Sequence, residues 1–287
     1  MANGAPSRRP RWRSLLPLVL VVLATGFQVR PQRFWGGGGW RPDPYREGLP
    51  VATNGVVDRG FTFCRLLYQH VRREPMGHGW NTDYPGSDHN FMERLEELTT
   101  TEPSHWADGQ PGYAVVRPMQ DELYECPFLF MSDAGSVGFT SREAERLRDY
   151  LHKGGLIYAD DFWGPWAWEQ WMREVQKILP GASWVDVGPD HSIMHALYEV
   201  PEVPQVPSIQ FWRRAGRRET SEQGPASAVP HLRVIFDDQE RPLMIMTHNT
   251  DIADGWEREG EDDDFFYAFS PDAYALGINI VIYALSH

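Results

Sequence analysis

The chain has 287 residues and a formal net charge of −13, and Trp, Tyr and Phe make up 13% of it. These aromatic side chains offer ample apolar area for a packed core. Residues 1–46 hold eight Arg against the single acid Asp43, a net of +7, which leaves −20 for residues 47–287. A body this acidic repels polyphosphate, so we expect no nucleic-acid partner.

The N-terminal segment has the pattern of a secretory signal peptide. Arg8, Arg9, Arg11 and Arg13 precede an apolar run from Leu15 to Leu23, and small residues follow it. That run is shorter than the roughly 20 residues of a comfortable bilayer span. We predict a signal peptide or an uncleaved membrane anchor over residues 1–30 and a flexible, Gly- and Pro-rich linker over residues 31–59. The protein is therefore expected in the periplasm or anchored to the inner membrane facing it, with no other membrane contact.

Residues 60–287 are predicted to form one α/β domain. Strand-like runs lie at residues 61–68, 113–116, 127–131, 156–159, 184–187, 232–236 and 243–247. Helical patterns run from Ser87 or Asp88 as N-cap to about Thr99, from a capping box at Thr140 to Gly154, over 166–179 and over 272–285. Strands that alternate with helices of this length indicate a mainly parallel sheet with helices on both faces.

Cys64 and Cys126 are the only cysteines. Two buried thiols are the favoured interpretation, because free Cys behaves as a small hydrophobe. A disulfide in an oxidising compartment stays open as the alternative, since spacing alone cannot bring the two residues within bonding distance. The acidic run from Glu259 to Asp264 is interpreted as a solvated loop.

Polar residues follow three of the predicted strands at once. Ligands of open α/β sheets bind beyond the carboxyl ends of the strands, so these residues predict a shared rim. They are Ser132 and Asp133, Asp160 and Asp161, and the run His248-Asn249-Thr250-Asp251 with Asp254 and Trp256. The prediction is conditional for His248, because the last two strands form a plausible hairpin whose antiparallel member would emerge at the opposite edge.

The adjacent carboxylates Asp160 and Asp161 are the sharpest feature of this rim. They can ligate a hard cation, act as acid and base, or cap the following helix. His248 and Asp251 admit a pair in which the carboxylate orients the imidazole. A turn built on side-chain bonds from Asn249 and Asp251 explains the same residues without any chemistry.

The loop from Trp80 to Pro85 combines aromatic rings with carboxylates. Trp80 and Tyr84 beside Asp83 offer stacking faces and acceptors that suit a sugar ring. Packing of the loop onto the domain is the alternative.

Several motifs in this order resemble a bacterial family of unknown function, the domain-of-unknown-function family 4159, from about residue 60 to the end. They are Phe61-Thr-Phe-Cys-Arg65, Trp80-x-x-Asp83-Tyr84-Pro85, the stretch from Gly154 to Gly164 with Asp160, Asp161 and Trp163, the stretch from His248 to Glu257, and Leu276-Gly-Ile-Asn279. The resemblance implies a flavodoxin-like fold similar to class I glutamine amidotransferases. It would place Asp160 and Asp161 at the turn where amidotransferases keep their cysteine, and neither Cys nor Ser stands there, so an acyl intermediate lacks its nucleophile.

Two functional hypotheses follow from these residues. The first is a non-catalytic ligand-binding or assembly domain of the cell envelope, whose partner is a polar small molecule, a glycan or an envelope protein. The second is a hydrolase of a glycan or cell-wall substrate that uses Asp160 or Asp161 with His248 and Asp251. The ligand-binding candidates are Arg65, Trp80, Asp83, Tyr84, Trp163, Asn249, Asp254 and Trp256. No cofactor is evident and a divalent cation is possible, while a purely structural role of the acidic residues is the third interpretation.

Overall fold

The computed structural model describes Met1 and residues 60–287. The predicted signal peptide or anchor and the predicted linker lie outside the described residues, so both stay predictions.

A seven-stranded mixed sheet forms the centre of the domain. Its strands are β1 (Phe63–Leu66), β3 (Tyr113–Val116), β4 (Phe128–Met131), β6 (Leu156–Ala159), β7 (Val185–Asp186), β8 (His231–Phe236) and β9 (Pro242–His248). Their order is β3-β1-β4-β6-β9-β8-β7, and the first five are parallel to one another. β8 pairs antiparallel with β9 and with β7. A short ribbon of β2 (Gln69–His70) and β5 (Val137–Gly138) stands apart from this sheet.

Helices cover both faces of the sheet, as the strand pattern predicts. They are α1 (Gly86–Leu98), α2 (Ser141–His152), α3 (Gly164–Ile178), α4 (Ile209–Arg214), α5 (Ile252–Glu257) and α6 (Asp263–Ser286). Alternate residues of each strand enter two separate cores. In β4, Leu129 and Met131 join the core under α2 and α3, whereas Phe128 and Phe130 join the core under α1, α5 and α6. The mainly parallel α/β architecture is therefore confirmed.

Local sequence signals predict several elements correctly. Thr140 and Glu143 form the predicted capping box at the start of α2, each side chain accepting the other's backbone N–H. Gly154 follows that helix with φ of +105°, a conformation in which an L side chain would be strained. The last two strands in chain order, β8 and β9, form the predicted hairpin.

The starts of two helices differ from the prediction. Neither Ser87 nor Asp88 caps α1, because the helix begins after Pro85 and both side chains bind Arg65 instead. The final helix begins at Asp263 and runs through Pro271, since Asp262 accepts the amides of its first turn.

The segment predicted as a solvated acidic loop is partly buried. Glu259 is 3% exposed and receives hydrogen bonds from Arg94 and Tyr274. Its charge is therefore paired inside the domain, and only part of this run faces solvent.

The expectation of two free thiols is wrong. Cys64 in β1 and Cys126 before β4 form a disulfide, with Cα atoms 5.9 Å apart and both residues buried. Only the tertiary fold brings β1 and the segment before β4 together, which is why spacing could not decide the question.

By length and composition α6 could cross a membrane, with a mean hydropathy of 1.3 over its most apolar window. However, 61% of that window is buried inside the domain. The core helix of a soluble protein has the same character, so this helix is weak evidence for a membrane span.

Candidate functional site

The carboxyl ends of the parallel strands meet at one edge of the sheet. β6 and β9 are parallel neighbours, so Asp160, Asp161 and the run from His248 to Asp254 emerge on the same side. In the hairpin of β8 and β9, β8 is the strand that runs antiparallel to the others. His248 ends β9 and therefore emerges at the same edge as Asp160 and Asp161. The polar residues that follow these strands therefore lie at one edge of the sheet.

A cavity of about 400 Å³ opens at this edge. Six carboxyl groups line it, together with an imidazole, a guanidinium and several neutral polar groups. The lining residues are Met76, His78, Asn81, Thr82, Asp83, Tyr84, Asp161, Ser208, Gln210, Glu222, Asp251, Asp254, Glu257 and Arg258. The cavity is thus strongly acidic, with Arg258 as the one guanidinium among the described residues around it.

Asp83 reaches the cavity from the loop between β1 and α1. Its φ is +62°, a left-handed conformation that Asp tolerates better than most residues. Ser132, directly after β4, donates a hydrogen bond of 2.9 Å to Asp83 Oδ2. The guanidinium of Arg65 donates to the carbonyl oxygen of the preceding residue Thr82 at 2.8 Å. Asp83 is therefore held from both sides.

The two adjacent carboxylates after β6 have separate roles. Asp160 is fully buried and points into the protein, where Thr247 donates to its Oδ1 and the amide of Ala253 to its Oδ2 at 2.9 Å. Asp161 lines the cavity with φ of +52°, and the indole of Trp163 donates to its Oδ1 at 3.1 Å. Asp160 thus ties β6 to β9 and α5, and Asp161 alone faces the cavity.

Asp251 and Asp254 come from the start of α5. Asp251 is the N-cap of this helix, and its Oδ1 accepts the amide of Asp254 at 2.8 Å. Residues three apart lie on the same helix face, so Asp251, Asp254 and Glu257 follow one another along the cavity wall. Asp254 Oδ2 also accepts the amide of Ile209, which fixes α4 against the site.

The Pro-rich stretch over residues 200–230 also lines the cavity. It contributes Ser208, Gln210 and Glu222 to the lining. The amide of Ser208 donates to Glu222 at 2.7 Å, which keeps this carboxylate over the site.

Burial raises the pKa of every carboxyl group in the cavity. For Asp161, Asp251 and Asp254 the pKa is raised well above its ordinary value, first by loss of solvent and then by the neighbouring carboxylates. The same causes raise the pKa of Glu257 to about 7. Ionised carboxylates are therefore destabilised in this cavity, and a bound cation would stabilise them.

Three of the acids are close enough to hold one ion. Asp83, Asp251 and Asp254 each offer an oxygen, and the three atoms lie within 4.8 Å of one another. This is the group of potential metal ligands that the described part of the chain presents.

Five of the predicted site residues line the cavity: Asp83, Tyr84, Asp161, Asp251 and Asp254. The other candidates lie beside it and hold the surrounding loops. They are Arg65, Trp80, Asp160, Trp163, His248, Asn249 and Trp256, all at most 5% exposed. Asn249, for example, uses its amide side chain to join Gly164 N to Val229 O, at 2.8 Å each.

His248 does not contact Asp251. Its Nδ1 accepts a hydrogen bond from Arg233 and its Nε2 donates to the carbonyl oxygen of Gly164, both at 3.0 Å. Burial, followed by the nearby Arg233 and His231 charges, lowers the pKa of His248 to about 3, although the Gly164 bond opposes this. The imidazole is therefore neutral near pH 7 and already has a partner on each nitrogen.

Sequence reasoning missed several lining residues. A helical spacing of three from Asp254 could have identified Glu257, and Arg258 follows it directly. Glu222 and His78 lie in irregular segments where no periodicity marks the side that a residue faces.

Comparison with known proteins gives a family and no activity. No curated protein matches this chain. The family model described as "Domain of unknown function (DUF4159)" matches residues 62–285, which is most of the chain and nearly all of the described domain. The chain therefore belongs to the DUF4159 family.

Proposed function

We propose that this protein is an exported, non-catalytic binding domain of the cell envelope, whose rim cavity holds a polar ligand that brings positive charge. The observation that carries the proposal is that six carboxyl groups and a single guanidinium of the described residues converge on one cavity. Such a cavity favours an amine-bearing molecule or a metal ion over an anion or an apolar molecule. The ligand neutralises the excess of acidic over basic groups among the described lining residues.

The proposed fold relationship is flavodoxin-like, in the manner of class I amidotransferases. Its support is the parallel order β3-β1-β4-β6-β9, which is the order 2-1-3-4-5 when the parallel strands alone are counted. Further support comes from Asp161, which occupies a left-handed position on a tight strand-to-helix turn, as nucleophiles of elbow motifs do. On this proposal the cavity corresponds to the active site of an amidotransferase-like ancestor. The carboxyl group of Asp161 then stands where the ancestor had its thiol.

A binding role agrees better with the geometry than a hydrolase does. The pair that a hydrolase would need is not formed, because His248 binds Arg233 and Gly164. The hydrolase alternative thus has no observation in its favour.

Export is supported by the N-terminal pattern of the sequence and by the disulfide. Disulfides persist in oxidising compartments and are rare in a reducing cytoplasm. The Cys64–Cys126 bond is buried in the domain core, where it has a structural place. Fractionation of expressing bacteria tests this part: the protein should appear in the periplasm or inner membrane, and a soluble cytoplasmic pool with free thiols would contradict it.

Binding is tested with the full-length protein, purified in mild detergent with its disulfide intact. Calorimetric titration with spermidine, CaCl₂ and sodium citrate separates cations from anions. We expect heat of binding for at least one cation and none for citrate. Glu222→Gln and Glu257→Gln should weaken the cation binding.

A matched control is Asp238→Asn in the exposed turn between β8 and β9. This turn lies a strand length of roughly 20 Å from the cavity, and the variant should bind as the wild type does. Equal binding by the cavity variants and the control, or no binding of either cation, would refute the proposed function and favour the structural interpretation of these acids.

A further inference from the structure

We propose that Glu74 and Asp133 form a pH-sensitive clamp, which holds residues 71–79 in the wall of the cavity at acidic pH and releases them as the pH rises. This segment follows β2, and its residues Met76 and His78 line the cavity. The inference goes beyond the proposed function, because it concerns how the wall of the cavity is held and needs no ligand for its test.

The two carboxyl groups pack reciprocally. Glu74 Oε1 lies against Gly135, two residues after Asp133, where an added Cβ atom would be only 2.4 Å from this oxygen. Asp133 Oδ1 lies against Gly77, three residues after Glu74, where an added Cβ atom would be 2.7 Å away. Each carboxyl group therefore contacts the backbone next to the other one, and the two segments meet through these groups.

The other oxygen of each carboxyl group accepts a backbone amide across the same contact. Asp133 Oδ2 accepts the amide of Gly79 at 2.7 Å, and Glu74 Oε2 accepts the amide of Trp163 at 3.2 Å. The indole of Trp163 donates in turn to Asp161 in the cavity. Glu74 and Asp133 thus fasten one segment to the turns that follow β4 and β6.

Both carboxyl groups are buried with little to stabilise a negative charge. Glu74 is 7% exposed and Asp133 1%. Neither Glu74 Oε1 nor Asp133 Oδ1 accepts a hydrogen bond from the described residues. Arg72 Nη1 lies 3.1 Å from Glu74 Oε1, but the Arg72 side chain is 31% exposed. A proton on these carboxyl groups removes the cost of burying an ionised oxygen.

The charged groups around the clamp are mostly acidic. Asp133 is influenced by the charges of Glu74 and Asp83, and Glu74 by those of Arg72 and Glu222. Asp161 interacts with the charge of Asp133, and the buried hydroxyl of Tyr68 donates to the backbone oxygen of Asp133 at 2.8 Å. Ionisation of both clamp residues therefore adds negative charge where negative charge already accumulates.

The direction of the pH effect follows from these surroundings. Burial, and then the charge of Glu74, raises the pKa of Asp133 to about 8, and burial raises the pKa of Glu74 to about 7. Both groups regain water when the segment moves away, which returns each pKa to about 4. Since the raised pKa values belong to the closed state, the clamp is strongest below about pH 4 and weakens as the pH rises to about 8.

Hydrogen–deuterium exchange of the full-length protein in mild detergent measures the opening directly. Its readout is the protection factor, the ratio of the intrinsic exchange rate to the observed rate, for peptides spanning residues 71–80. Each carboxyl group that ionises only on opening should lower this factor about tenfold per pH unit. We expect a fall of at least about tenfold per unit between about pH 5 and 7, from a level below the protection of β4.

The variants Glu74→Gln and Asp133→Asn remove the titration and keep an acceptor oxygen for the amides of Trp163 and Gly79. Asn also tolerates the left-handed backbone of Asp133, whose φ is +51°. Each single variant should make the protection factor less dependent on pH, and the double variant should vary by less than about threefold over the same range. The matched control Asp238→Asn, an acid-to-amide change in an exposed turn, should keep the wild-type dependence.

Three results would overturn the inference. A protection factor of wild type that does not change with pH would show that the clamp residues do not ionise on opening. A double variant as pH-dependent as wild type would assign the effect to other acids. Protection of residues 71–80 equal to that of β4 would mean that the segment opens only when the whole domain unfolds. No ligand takes part in this experiment, so its failure leaves the proposed function untouched.

Discussion

Removal of the Arg65 guanidinium should be among the most damaging single substitutions in the domain. Arg65 and Asp88 are both fully buried and joined by two hydrogen bonds of 2.8 and 3.0 Å. The remaining donors of Arg65 bind the carbonyl oxygens of Trp80 and Thr82 and the hydroxyl of Ser87. Burial raises the pKa of Asp88 even beside this cation, so the pair is costly to desolvate and more costly to break.

In Arg65→Met, Asp88 would become a buried charge without a partner. That loss costs about 3–5 kcal/mol, and each abandoned carbonyl oxygen adds about 1 kcal/mol where water cannot reach it. We expect a total of about 5 kcal/mol, a large part of the 5–15 kcal/mol that domains of this kind possess. Urea unfolding followed by tryptophan fluorescence measures the loss.

A double-mutant cycle with Asp88→Asn tests the cause. The double variant should recover about 2–3 kcal/mol of the sum of the single losses. Lys153→Met, which breaks a largely exposed pair with Asp149, is the control and should leave the unfolding midpoint nearly unchanged. Additive losses, or a loss below about 1 kcal/mol in Arg65→Met, would refute the reasoning.

Three further predictions concern groups outside the cavity. Replacing Cys64 and Cys126 by Ser opens a loop with a sequence separation of 62, and should lower the free energy of unfolding by about 4 kcal/mol in urea titrations. Burial raises the pKa of Glu74 to about 7, so the folded state binds a proton that the unfolded chain releases above about pH 4.5. Stability of the wild type should therefore fall from about pH 4.5 to 7, and Glu74→Gln should exceed it by about 3 kcal/mol at pH 8 but not at pH 4.5. The His248 imidazole, with its pKa lowered to about 3, should show constant NMR shifts between about pH 8 and 5.

Each of these has a contradictory outcome. Unfolding that is insensitive to the Ser substitutions would show that the disulfide adds nothing to a core that is already packed. A constant gap between Glu74→Gln and wild type over the pH range would mean that the carboxyl group titrates normally. An imidazole that titrates near pH 6.5 would show that His248 reaches water.

The general architecture was accessible from the sequence because its signals are local. The capping box at Thr140, the Gly154 that follows α2 and the acidic turn between the last two strands each depend on neighbouring residues, and each is where the pattern predicts. The apolar runs of the parallel strands, buried on both faces, likewise mark the sheet. What the pattern could not give was the pairing of Cys64 with Cys126, which depends on strand order.

The candidate site was accessible only in part. The ends of the strands indicated the correct edge of the sheet. The direction of a side chain after a turn, however, depends on the φ value of its own residue, which differs between neighbouring residues. Asp160 and Asp161 illustrate this, since one enters the protein and the other faces the cavity. Arg65 and Trp256 looked like ligand contacts because they are polar or aromatic residues in distinctive motifs, and instead they pack the loops and helices that form the cavity. Glu222 could not be found, because it lies in a Pro-rich stretch without periodicity.

The left-handed backbone of Asp83 and Asp161 restricts which residues can stand at these two positions of the cavity lining. Aspartate, asparagine and glycine tolerate such a conformation, and most other residues would strain the loop. An exchange between aspartate and asparagine keeps the backbone and the shape of the cavity while it changes the charge by one unit. On the proposed function, this exchange would adapt the cavity to ligands of different charge, with the same loops and the same fold.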